Sequence, residues 1–157
     1  MKNKNNPQAA GLELETTPGI ILCATRGSEG ISPTEQEAID LAKEHDYTIV
    51  FLYIVNTHFL DKTAAPIVVD VDDELSDMGE FLLLMVKERA EQQGVNVRTL
   101  IRKGEVREEI KQVATKICAD MVVLGRPAGE GSAFELASLQ AFAEEIEADT
   151  EAKVIIV

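Results

Sequence analysis

Apolar residues in this chain fall into short continuous runs, separated by stretches where they recur at helical spacing. Gly19-Ile20-Ile21-Leu22-Cys23-Ala24, Tyr47 to Val55 and Met121-Val122-Val123-Leu124 show no alternation, as expected of strands covered on both faces. Val95 to Arg102 is different. Asn96, Arg98 and Arg102 alternate with Val97 and Ile101, with Thr99 and Leu100 blurring the pattern, which predicts an edge strand wet on one side. Val154-Ile155-Ile156-Val157 is a fifth apolar run. Between the runs, Val106, Ile110, Val113, Ala114 and Ile117 form one helical stripe. Ser32-Pro33-Thr34-Glu35 has Ser as N-cap, Pro in the first turn and Glu three residues on, a capping box that opens a helix ending near His45. Two further helices are expected, from about Asp73 to Gln93 before Gly94, and from a second capping box, Ser132-x-x-Glu135, to about Ala148.

Five strands alternating with four helices predict a single-domain doubly wound α/β sheet. With right-handed crossovers, one order that leaves the alternating third strand at an edge is 3-2-1-4-5, and the pattern alone does not select it. Residues 1–17 are polar and read as a flexible tail, so the domain is expected over 18–157. The connection from Asn56 to about Asp72 is long for a compact domain. Phe81-Leu82-Leu83-Leu84-Met85-Val86 sweeps most of a helix circumference, so either the helix is deeply buried or its outer face meets a partner, the second being preferred.

Charge narrows the partners. Lys plus Arg number 15 against 28 Asp plus Glu, a formal net charge of −13 in 157 residues. Such a field repels phosphate backbones and anionic lipid, which argues against nucleic acid or a membrane surface. No apolar run reaches the length that spans a bilayer, and Met1-Lys2-Asn3-Lys4-Asn5-Asn6 opens no signal peptide, so a cytoplasmic protein is expected. Cys23 and Cys118 lie in apolar surroundings without metal-like spacing and are expected to be buried, inert thiols.

The run Gly104-x5-Ile110, followed by Ala119-Asp120-x-Val122-Val123-x-Gly125, resembles the universal stress protein family. The similarity extends over roughly Gly19 to Val157. It implies an adenine-nucleotide alpha hydrolase-like fold with strand order 3-2-1-4-5, a stress-response role, and a homodimer joined through Val154–Val157. For nucleotide-binding members it also implies contacts to ATP or AMP at the positions of Ala24, Thr25 and Ile54, and a phosphate motif Gly-x2-Gly-x9-Gly-Ser after the fourth strand. Here Arg26 stands where those members usually carry an aspartate, and Tyr53 where histidine is common. Gly125 matches the first glycine of the motif, but the second falls on Ala128 unless the loop shifts to Gly129, and the Gly-Ser pair falls on Ser138-Leu139. The departure implies weak or absent nucleotide binding.

Ligands of open α/β sheets bind outside the carboxyl ends of the strands where the winding reverses, here between the first and fourth strands. Arg26 and Arg126 end those strands, and Gly129, Gly131 and Ser132 lead into a helix N-terminus that suits an anion. The candidate site is therefore Ala24, Thr25, Arg26, Ile54, Gly125, Arg126, Gly129, Gly131 and Ser132, for a small anionic ligand. No catalytic set is evident. The acidic run Asp70-Val71-Asp72-Asp73-Glu74 with Asp77 matches no Ca²⁺ loop and reads as the opening turn of a helix. His45 and His58 lack a nucleophile partner. Thr25-Arg26 and Lys103-Gly104 stand where a phosphotransfer receiver needs aspartates. Three readings remain: a non-catalytic regulatory module, an ATP- or AMP-binding protein with a variant glycine loop, and a hydrolase or transferase using the same crevice.

Overall fold

The structure is a computed structural model and describes residues 19–26, 30–55, 65–126 and 132–157, with the side chains of 65–73 and 132–135 outside that description. The elements are β1 (Ile20–Ala24), α1 (Pro33–His45), β2 (Thr48–Val55), α2 (Ala65–Gln92), β3 (Val97–Lys103), α3 (Val106–Lys116), β4 (Met121–Leu124), α4 (Ser132–Asp149) and β5 (Lys153–Ile156). The strands form one parallel sheet in the order β3-β2-β1-β4-β5, the order that the family resemblance implies.

Alternate residues of the central strands feed two cores. Ile21, Cys23, Ile49, Phe51 and Val123 pack with Ala38, Ile39 and Ala42 of α1 and with Leu83, Val86 and Ala90 of α2. Leu22, Val50, Leu52, Val122 and Leu124 pack with Ile110, Val113 and Ala114 of α3 and with Phe142 and Ile146 of α4. A strand buried on both faces has no polar side to alternate, which is why β1 and β4 read as continuous apolar runs. Asp120 ties the strand starts together. Its carboxylate accepts from the Ile20 N–H at 2.8 Å, and its own N–H donates to the Ile20 carbonyl at 2.8 Å.

The first capping box is present: Ser32 Oγ accepts from Glu35 N–H at 3.2 Å, and Glu35 Oε1 accepts from Ser32 N–H at 2.9 Å. α1 ends on Asp46 in the left-handed region, φ 59°. α2 ends before Gly94, whose φ of 90° is the backbone state that glycine adopts without a Cβ penalty.

Two expectations need correction, the start of α2 with its acidic first turn and the burial of Cys118, and the two readings of the Phe81–Val86 run are narrowed. α2 begins at Ala65, eight residues before Asp73, so the acidic run lies inside the helix and no acid occupies its first turn. Pro66 falls in that first turn, where its missing N–H costs no helical bond. Cys23 is fully buried, but Cys118 is exposed, because the chain turns at φ 53° there and directs it away from the core. Of the Phe81–Val86 run, Leu83 and Val86 are buried while Phe81 and Leu84 are each 62 % exposed. The helix is therefore not deeply buried all round. Residues 1–17, the loop positions 27–29, the connection 56–64 and the positions Gly129 and Gly131 lie outside the described residues, as does the side-chain pairing of the second capping box. No helix among the described residues is long and apolar enough to cross a membrane.

Candidate functional site

The winding of the sheet reverses between β1 and β4, and a cavity of about 890 Å³ opens at their carboxyl ends. Six of the nine residues expected there line it: Ala24, Thr25, Arg26, Ile54, Gly125 and Arg126. Gly129, Gly131 and the side chain of Ser132, the first residue of α4, lie outside the described residues.

β1 is extended past its last residue by a bond from Thr25 N–H to the Leu52 carbonyl at 2.9 Å. That bond holds Thr25 beside β2, and its hydroxyl reaches α1 by donating to Oε2 of Glu35. Glu35 is the one buried charged residue of the described core, 2 % exposed, and it borders the cavity. Beneath it, burial pushes the Cys23 thiol well above the ordinary thiol range, and the Glu35 charge adds to the shift. A thiol so held stays protonated and does not act as a nucleophile at neutral pH. Gly125 is required by close approach. A Cβ there would stand 2.6 Å from Thr34 Oγ1, so glycine lets β4 leave the sheet beside α1.

The opposite wall comes from β2, α3 and α4. Leu52, Ile54, Ile110, Leu139 and Phe142 make it apolar, and Val106 joins them at the start of α3. Arg107 places its guanidinium over the Phe142 ring, 5.2 Å from the centroid, a cation–π contact that holds the cation at the cavity wall. Lys111 bridges the same two helices by pairing with Glu145 and with Asp149 at 3.0 Å, and those hydrogen bonds push its ammonium pKa up. Three arginines, Arg26, Arg107 and Arg126, thus line the cavity together with one buried carboxylate and an apolar wall. This arrangement suits a small anionic molecule with an apolar or polyol body. No group of three or more His, Cys, Asp or Glu able to hold a metal ion occurs among the described residues.

Sequence reasoning missed Glu35 and Arg107. Glu35 is accounted for locally by the capping box, and nothing in that pattern reveals a second neighbour across the loop. Arg107 did leave a signal, because a cation in the first turn of a helix opposes the macrodipole and so calls for a separate reason.

The universal stress protein family model matches residues 19–141. A universal stress protein of Methanocaldococcus jannaschii is 29 % identical over 138 residues, covering 87 % of this chain and 80 % of that protein. Among solved structures, the universal stress protein UspA of Lactobacillus plantarum superposes with a TM-score of 0.71 at 17 % identity, covering 90 % of this chain and 99 % of that one. A family member from Arabidopsis thaliana with AMP bound superposes with a TM-score of 0.56 at 18 % identity, covering 89 % and 91 %. At such identities the superpositions establish the fold.

Proposed function

The chain belongs to the universal stress protein family, and from that premise we propose that it is a non-catalytic regulatory module whose crevice takes a small anionic ligand and binds ATP weakly or not at all. The observation that carries this reading is the convergence of Arg26, Arg107 and Arg126 on one cavity in a protein of net charge −13. Against so negative a field, a local cluster of guanidiniums is where an anion finds attraction. Leu139 supports the second half. It falls at the hydroxyl position of the family's phosphate motif in an ungapped count, and it lines the cavity as an apolar group that donates nothing to a phosphate.

A second reading is an adenosine monophosphate site. The relative from Arabidopsis thaliana holds AMP, and a single phosphate asks less of the glycine loop than a triphosphate does. Ala24, Thr25 and Ile54 border the cavity, where the adenosine contacts implied by the resemblance would fall.

Thermal shift with inorganic phosphate, AMP and ATP tests the proposal. A ligand at a hundred times its Kd stabilises by about 2.7 kcal/mol, which for a chain of this size raises Tm by roughly 5–10 °C. Phosphate or AMP is expected to give such a rise and ATP a smaller one. A rise with ATP that exceeds the others at equal concentration would restore the family's triphosphate site.

A further inference from the structure

Glu35 has no assigned part in holding an anion, and a buried carboxylate among three arginines is at first sight an obstacle to it. Each of its oxygens holds one donor, Oε1 the Ser32 N–H at 2.9 Å and Oε2 the Thr25 hydroxyl. A carboxylate has about four acceptor positions, so roughly half of its capacity is unused. No lysine or arginine among the described residues pairs with it. Leaving a charge 98 % buried with spare lone pairs is costly unless further donors reach it. The helix cap does not require that charge, since glutamine serves the same capping position. What the charge adds is acceptor capacity at the cavity wall.

We propose that Glu35 accepts a hydrogen bond from a hydroxyl of the bound ligand, and that the crevice is built for a phosphorylated polyol, the chemical class of the sugar phosphates. The inference rests on the anionic-ligand reading of the crevice and specifies its other end. A hydroxyl fits better than an ammonium group, because a cation entering beside Arg26, Arg107 and Arg126 meets like charge. Thr25 shows the geometry, presenting a hydroxyl to the same carboxylate. Volume agrees, since about 890 Å³ is far more than a bare phosphate needs and lies within the range of sites for small organic ligands.

The test compares ribose 5-phosphate with methyl phosphate, two monoesters of equal charge of which only one carries hydroxyls, by calorimetry on the wild-type protein and on Glu35→Gln. In glutamine, Oε1 can still accept from Ser32 N–H while Nε2 donates to Thr25 Oγ, so the cap is kept while the charge and the spare acceptor position on Oε2 are lost. Wild type is expected to bind ribose 5-phosphate at least tenfold more tightly than methyl phosphate. Glu35→Gln is expected to erase the advantage of ribose 5-phosphate over methyl phosphate without weakening methyl phosphate, since a repulsive charge is removed with the acceptor. Equal affinities for the two esters in wild type, or an equal loss of both in Glu35→Gln, would overturn the role of Glu35 and leave the anionic crevice standing. Failure of both esters to bind wild type would remove the anionic reading, and this inference with it. The wild-type comparison decides the matter even where the variant folds poorly.

Discussion

The two cysteines show how far one residue's neighbourhood determines its chemistry. Cys23 is fully buried beneath Glu35, and Cys118 stands exposed at the end of α3. A thiol reagent is expected to modify one cysteine rapidly in the native protein and the second only on unfolding, and Cys118→Ser should abolish the fast phase. Two fast equivalents would contradict the burial of Cys23. The raised thiol pKa also makes stability depend on pH. The folded state keeps a proton that the unfolded chain loses above about pH 8.5, so this contribution is whole below that pH and is lost as pH rises. Denaturant melts between pH 8 and 10 should show a decline up to about 1.4 kcal/mol per pH unit steeper in wild type than in Cys23→Ala. Parallel slopes would refute it. At this scale the sequence was a partial guide. Arg26 and Arg126 stood out by ending strands that flank the switch point, whereas Glu35 was hidden by the cap it forms and Cys118 by one left-handed backbone step.

Elements were more legible than residues, because helix and strand periods integrate many positions. The five strands and three of the four helices fall close to their expected limits, and the exception is α2. Its first eight residues, Ala65 to Asp72, are rich in β-branched side chains and open with Pro66, so local preference argues for a loop where a helix is found. Gly79 lies inside α2 against β2. A Cβ there would meet the Tyr53 ring at 2.6 Å, so the glycine lets the helix close onto the strand that borders the cavity. Helix propensity alone would favour Gly79→Ala by about 1 kcal/mol. Overpacking against a ring costs about 1–3 kcal/mol, and the close approach takes in Cγ at 3.2 Å, so the whole ring must shift. Gly79→Ala is therefore expected to lower Tm in wild type and to raise it in a Tyr53→Leu background. The same sign in both backgrounds would show that the contact does not control the packing of α2.

The molecule as a whole carries an open edge at β5, where Val154 to Val157 are only half-buried. Paired antiparallel with a copy across a two-fold axis, that edge would close into a homodimer, which is the assembly we propose. The Glu147 carboxylate accepts from the outward Val154 N–H at 2.9 Å and would have to release it. Light scattering is expected to find a dimer in wild type, a tighter dimer in Glu147→Ala and a monomer in Ile156→Lys. A dimer that survives Ile156→Lys would move the contact to the exposed face of α2 around Phe81 and Leu84. The edge also touches the crevice, since Arg126 N–H donates to the Val157 carbonyl at 3.0 Å. Strand order was legible only through the family resemblance, because burial patterns say which strands are central and not how they follow one another. The central claim is that a cluster of arginines makes this crevice an anion site. Its most direct test is calorimetric titration of inorganic phosphate into wild type, Arg26→Ala and Arg98→Ala, the last an exposed arginine on the far edge strand β3. A charge-assisted contact carries about 1.5–3 kcal/mol, so Arg26→Ala should weaken binding at least tenfold while Arg98→Ala leaves it unchanged. Equal effects of the two substitutions, or no binding to wild type, would contradict the account.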